Sequence, residues 1–101
     1  MIYKIYKITC KNPMIKGCYI GSTNNFSTRK SHHKKNCTNR VNKRYWLPLY
    51  QFIRANGGWD NFEMCEVETL DCDRKDALTR ERHYIDIMAT GGLNINKPVG
   101  K

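Results

Sequence analysis

A tyrosine, an arginine and a histidine stand at spacings that suit the chemistry of a phosphate ester. Tyr19 lies in Gly17-Cys18-Tyr19-Ile20-Gly21-Ser22-Thr23, where Cys18-Tyr19-Ile20 reads as a short strand between glycines and Gly21 to Asn25 as a turn. Ser22 or a following asparagine caps the helix after it. Phe26, Arg29 and His33 share one stripe of that helix, because residues three and four apart lie above one another. Upstream Tyr6 and downstream Glu81 complete the set. Glu81 stands among Leu78, Ile85 and Met88, on the apolar side of a third helix. A carboxylate there is costly unless it is paired, bound to metal or open to a cleft.

The elements that must position these groups follow from periodicity. Residues 1–9 alternate as strand sequence, with Ile2, Lys4, Tyr6 and Ile8 on one face and Tyr3, Ile5, Lys7 and Thr9 on the other. With Cys18-Tyr19-Ile20 they form a β-hairpin closed by a longish loop through Pro13 and Gly17. Residues 37–45 are polar, basic and aperiodic, and read as a loop. Leu47 to Asn56 reads as a helix with Trp46, Leu49, Tyr50 and Ile53 at helical spacing, Pro48 in its first turn and Gly57-Gly58 as its stop. Phe62 to Leu70 is a third strand. Asp71 or Asp73 caps the third helix, which runs to about Met88 and stops at Gly91-Gly92. Leu93 to Pro98 is an extended segment that ties back onto the core.

Length and composition set the limits. One hundred and one residues allow one small domain with a modest core, spanning residues 1–101. The formal charge is +9, and its excess is concentrated in Arg29, Lys30, Lys34, Lys35, Arg40, Lys43 and Arg44, with no acidic residue among them. Such a block suits a polyanion, nucleic acid before acidic membrane, or else serves as a solvated face. Lys30, Lys34, Lys35, Arg40, Lys43 and Arg44 are the candidate DNA-binding residues. The five cysteines form no Cys-x-x-Cys pair and read as free thiols of a reducing, intracellular compartment, cytoplasm or host nucleus. His33 and Cys37 have i, i+4 spacing but no second pair at metal-ligand spacing to complete a zinc site. No apolar run reaches membrane-span length.

In order along the chain, these residues resemble the GIY-YIG endonucleases. Lys4-Ile5-Tyr6 stands where the family has Gly-Ile-Tyr, and Tyr19-Ile20-Gly21 is the second half of the name intact. Arg29 and His33 follow at the family's intervals. Glu81-Arg82-His83-Tyr84-Ile85 is similar to its Glu-x-x-aromatic-Ile helix, and Asn94 matches its late asparagine. Gly57-Gly58-Trp59-Asp60-Asn61-Phe62 also resembles short stand-alone members from large viruses and phages. Two departures are visible: Lys4 replaces the motif glycine, where it could shift the electrostatics of Tyr6, and the segment from Tyr6 to Tyr19 is longer than in compact members. The resemblance implies an α+β fold, a three-stranded antiparallel sheet flanked by about three helices, in agreement with the pattern above.

The same resemblance implies a divalent-metal-dependent DNA endonuclease. Glu81 would be the ligand of a single Mg²⁺ or Mn²⁺, whose shell phosphate oxygens and waters complete. Arg29 would grip the scissile phosphate, Tyr6 would accept the proton of the attacking water, Tyr19 and His33 would position water or phosphate, and Asn94 would support the site. Each has a plainer reading. Glu81 could pair with Arg29 or Arg82, Arg29 could form a surface salt bridge, and Tyr6 could be a core aromatic. His33 could be a surface residue and Asn94 a turn cap. The rival functions are a non-catalytic nucleic-acid-binding module on the same scaffold and a basic interaction protein. A monomer or weak dimer is expected.

Overall fold

Alternating β-branched and aromatic residues make Ile2–Cys10 a strand, β1, and it becomes the centre of the sheet. β2 (Cys18–Thr23) and β3 (Phe62–Asp71) pair with it on either side, both antiparallel, in the order β2-β1-β3. The structure, a computed structural model, describes residues 1–89, 93 and 94. Tyr6 lies opposite Gly21 on one side and Glu66 on the other. The register with β3 slips between Ile5, opposite Glu68, and Tyr6, so Val67 is an extra residue in β3.

Helices cover the sheet on both faces, and this is why β1 reads as nearly continuous apolar sequence. Tyr6, Ile8, Cys10 and Tyr19 belong to a core completed by Leu49, Tyr50, Ile53, Phe62, Met64 and Leu93. On the opposite face α3 (Arg74–Met88) packs over β1 and β2, beside Tyr3 and Ser22. The expected architecture, three antiparallel strands with three helices, is the observed one.

α1 spans Phe26–Thr38 and is capped by Asn25, whose Oδ1 accepts from Thr28 N at 3.1 Å. The helix runs beyond the expected start of the basic loop. Cys37 is buried one turn after His33, and Thr38 Oγ1 donates to Lys34 O at 2.9 Å. A buried thiol behaves as a small apolar side chain, but it leaves no periodic signature among lysines and asparagines. α2 (Pro48–Ala55) starts with proline in its first turn and ends before Gly57 and Gly58, whose φ values of 103° and 86° suit glycine. A single 3₁₀ turn, Trp59–Asn61, leads into β3.

Two expected stripes need correction. Trp46 does not extend the buried face of α2: it is 59% exposed. On α3, capped by Asp73, the fully buried residue is Ala77, whereas Leu78 is 43% exposed. The helix approaches the sheet through its small residue, which a reading weighted towards large apolar side chains passes over. Glu81, one turn after Ala77, still faces inward and is half-buried. Leu93 is buried in the core, while the Gly91-Gly92 stop and residues 95–98 lie outside the described residues. Among the described residues no helix is long and apolar enough to cross a membrane.

Candidate active site

His33 is the hub of the first cluster. The register places Tyr6 on β1 opposite Gly21, and α1 crosses above both. Tyr6 Oη lies 2.8 Å from His33 Nε2, and Tyr50 Oη, from α2, lies 2.8 Å from His33 Nδ1. Asn36 Nδ2 donates to the same Tyr50 oxygen at 3.1 Å. A neutral imidazole has one N–H and one lone pair, so one phenol donates to the ring and the other accepts from it. Trp59 stacks on His33 at 6.3 Å between ring centres, and Tyr19 meets it edge-on at 5.8 Å. Burial, aided by the charges of Arg29 and His32, lowers the His33 pKa to about 4, so the ring is neutral at pH 7. With both nitrogens engaged by phenols, His33 has no lone pair left to join Cys37 as a zinc ligand.

Gly21 is the glycine this arrangement requires. A Cβ at position 21 would sit 2.4 Å from both Cζ and Oη of Tyr6, so the phenol end of Tyr6 occupies the space above the Gly21 backbone. Tyr6 itself is fully buried. Burial raises its pKa, Tyr19 adds to the rise, and Arg29 opposes it. The expected proton acceptor is therefore a neutral phenol behind His33. Lys4, expected to act on Tyr6, instead binds Glu66 Oε1 at 2.7 Å.

In front of His33 opens a cleft of about 780 Å³ walled by Tyr19, Arg29, His33, Tyr50, Lys43 and Arg44. The six expected DNA-binding cations separate here. All are exposed, but only Lys43 and Arg44 belong to this wall, while Lys30, Lys34, Lys35 and Arg40 lie outside it. The charge imbalance reaches further than the expected block, since the first acidic residue of the chain is Asp60.

Glu81 lies in a second, smaller pocket of about 140 Å³ on the α3 face, with Ser22, Arg29 and Arg74. Ser22 Oγ donates to Glu81 Oε1 at 2.6 Å. Among the described residues Glu81 pairs with no cation, and Arg82 pairs instead with Asp86 at 3.3 Å. Arg29 lines both cavities, so the two faces of the sheet meet at this residue, beside the edge strand β2. One carboxylate beside a hydroxyl fits a hard cation that keeps most of its own water. The described residues hold no cluster of three or more His, Cys, Asp or Glu suited to a metal.

Asn94 does not line either cavity. Its Oδ1 accepts from Ile20 N at 3.0 Å and its Nδ2 donates to Ile20 O at 2.6 Å, which pairs the free edge of β2 as a neighbouring strand would. It holds the segment that carries Tyr19 and Gly21. Sequence reasoning gave Tyr50 and Trp59 no part in the site, and it offered Ser22 as a helix cap; Asn25 is the cap, and the Ser22 hydroxyl turns to Glu81. Tyr50 stood on the expected apolar stripe of α2 and Trp59 in a glycine-rich turn, and neither position signals a contact to His33.

Comparison with curated proteins and with solved structures found no match. A family model described as the GIY-YIG catalytic domain matches residues 2–94, the span that contains every element above. The chain belongs to the GIY-YIG family of nucleases.

Proposed function

We propose that residues 1–101 form one nuclease domain that hydrolyses DNA phosphodiesters with a divalent cation. The observation that carries this reading is the position of Arg29, shared between the cationic cleft and the pocket of Glu81. A phosphate at that junction meets the planar fork of Arg29, while Lys43 and Arg44 face the neighbouring backbone from the cleft wall. Glu81, with its rotamer fixed by Ser22, would hold one Mg²⁺ or Mn²⁺. When bound, that ion supplies Lewis-acid polarisation of the phosphate and neutralises charge at the leaving oxygen.

The proton of the attacking water leaves through the phenol–imidazole chain. In the starting tautomer Tyr50 donates to His33 Nδ1 and His33 Nε2–H donates to Tyr6 Oη. Tyr50 Oη, on the cleft wall, takes the water's proton as its own passes to Nδ1. The resulting imidazolium is held between two phenol oxygens. Its low pKa makes it a ready donor once the leaving oxygen needs a proton. Tyr6 thus orients and stabilises His33, and Tyr19 positions water or phosphate at the cleft surface. Asn94 acts through β2.

Incubation with supercoiled plasmid tests the reading. Wild-type protein with Mg²⁺ should yield nicked or linear DNA, and the same protein in EDTA, or Glu81→Ala, should not. Salt-dependent DNA binding with no cleavage in any divalent cation would instead establish the non-catalytic binding module.

A further inference from the structure

Residues 39–47, which join the expected basic loop of residues 37–45 to the expected start of the second helix, form a held platform with a tryptophan on its outside. Successive turns build it: Asn42 N, Tyr45 N and Leu47 N each donate to the carbonyl three residues earlier at 3.0 Å. Arg54 on α2 clamps it, donating to Cys37 O at 3.0 Å and to Tyr45 O at 2.6 Å, with its guanidinium carbon 3.5 Å from the centre of the Tyr45 ring. Gln51 Nε2 donates to Trp46 O. The Trp46 ring packs edge-on to Tyr45 at 4.8 Å, lies 5.7 Å from the Arg54 guanidinium, and is still 59% exposed. Its near neighbours Arg44 and Leu47 line the cleft.

A large aromatic left in water on a fixed support is ready to stack, and its surroundings say on what. Arg40, Lys43 and Arg44 precede it, and the chain carries no carboxylate before Asp60. That setting attracts anionic partners, the densely charged phosphate backbone of a nucleic acid above all, and the flat group attached to a phosphate backbone is a nucleobase. Inside an intact duplex both faces of each base are already stacked. Away from a duplex end, only an unpaired base can offer a face to Trp46.

We propose that this platform receives an unpaired nucleobase, stacked on Trp46 while Lys43 and Arg44 hold the adjoining phosphates, so that the preferred substrate is DNA with unpaired nucleotides beside the scissile phosphate, as at a flap or bulge. The proposal rests on the nuclease reading above and names its substrate class. It also gives Arg54 a part as the positioning residue of the platform.

The test is competition binding in EDTA, where nothing is cut, with a blunt duplex and with the same duplex carrying a single-stranded flap. Wild type should prefer the flapped duplex by about 5- to 150-fold, the range expected for one stacked base. Trp46→Ala should abolish that preference while changing blunt-duplex affinity by less than about twofold and leaving the salt slope unchanged, because no phosphate contact is lost. Trp46→Phe should retain most of the preference. Equal affinity of wild type for both duplexes would overturn the proposal, as would a flap preference that survives Trp46→Ala or a loss that is equal on both DNAs. Those results leave the nuclease reading standing if plasmid cleavage is observed. Failure of wild type to bind any DNA would overturn both.

Discussion

The chain divides at Asp60 into two electrostatic halves. The part before it has lysines and arginines and no carboxylate; all nine acidic residues follow. In the later half charges are answered locally: Arg80 binds Glu68 at 2.6 Å, Arg82 binds Asp86, and Lys4 and the N-terminus are drawn in to Glu66 and Asp71. In the earlier half the cations of the cleft wall are answered by no acid among the described residues, and Arg54 binds the carbonyls of Cys37 and Tyr45 and lies over the Tyr45 ring. Among the described residues the later half uses four carboxylates in ion pairs of the scaffold, whereas the earlier half leaves the cations of the cleft wall unneutralised. Glu81 belongs to the scaffold half by sequence, yet among the described residues a hydroxyl and not a cation holds it, and it meets the other half at Arg29.

Glu81→Ala is the largest test of that contrast. Plasmid cleavage should be abolished, while DNA binding stays equal or tightens, because a negative charge near phosphate has gone. The melting temperature should change little, since no ion pair is broken and alanine favours the helix. Unfolding of the variant, or cleavage at the wild-type rate, would make Glu81 structural. Arg29→Ala comes next: a loss of about 10²–10³ in single-turnover rate, as for other single electrostatic donors, together with weaker binding. An effect on binding alone would remove Arg29 from the chemistry.

Much of this contrast is legible in the sequence, and what is not has physical causes. Strand alternation, caps and glycine stops identify the three strands and helices, because these are local signals. The Glu81 anomaly is also local, a charge on an inward stripe. The partners of His33 are not local. Tyr50 and Trp59 reach it from separate elements, and an aromatic that packs gives the same pattern as one that donates a hydrogen bond. The exposed Leu78 and Trp46 were misplaced for a related reason: periodicity says where a face lies, and only packing says which neighbour covers it. Asn94 shows the limit from the other side. Its type and place were noted, but its pairing with the edge of β2 depends on β2 being an edge.

The neutral His33 offers a pH test of the cationic half. Its pKa of about 4 lies below the usual 6.5, so above pH 6.5 neither folded nor unfolded chain binds the proton. As pH falls from 6.5 to 4 the unfolded chain takes a proton that the folded one refuses, and stability drops by about 3 kcal/mol before levelling off. Urea midpoints across that window should show the drop in wild type and much less of it in His33→Gln. The lowered pKa values of Glu66 and Glu68, held by Lys4 and Arg80, act in the same direction at lower pH and remain in both proteins. Parallel slopes would mean that His33 is charged in the native state. Gly21→Ala should cost about 1–3 kcal/mol by overpacking against Tyr6. An alanine variant as stable as wild type would show that the Tyr6–His33 geometry is easily displaced.

The smallest expected effect separates cations within the basic half itself. Lys30, Lys34 and Lys35 project from α1 outside the cleft wall, whereas Lys43 and Arg44 are part of it. Each phosphate contact contributes about 0.9 to the slope of log K against log salt on duplex DNA. Replacing Lys43 and Arg44 by alanine should therefore lower the slope by nearly two, if each holds one phosphate. Replacing all three α1 lysines should lower it by less than one, because charges beyond a Debye length of about 10 Å are screened and release few counterions. Titration of a blunt duplex at several salt concentrations measures both slopes. A larger drop for the α1 triple variant would move the DNA backbone from the cleft onto the outer side of α1. Arg29 would then sit at the rim of the bound DNA, and the charge contrast between the halves would describe a solvated face more than a binding cleft.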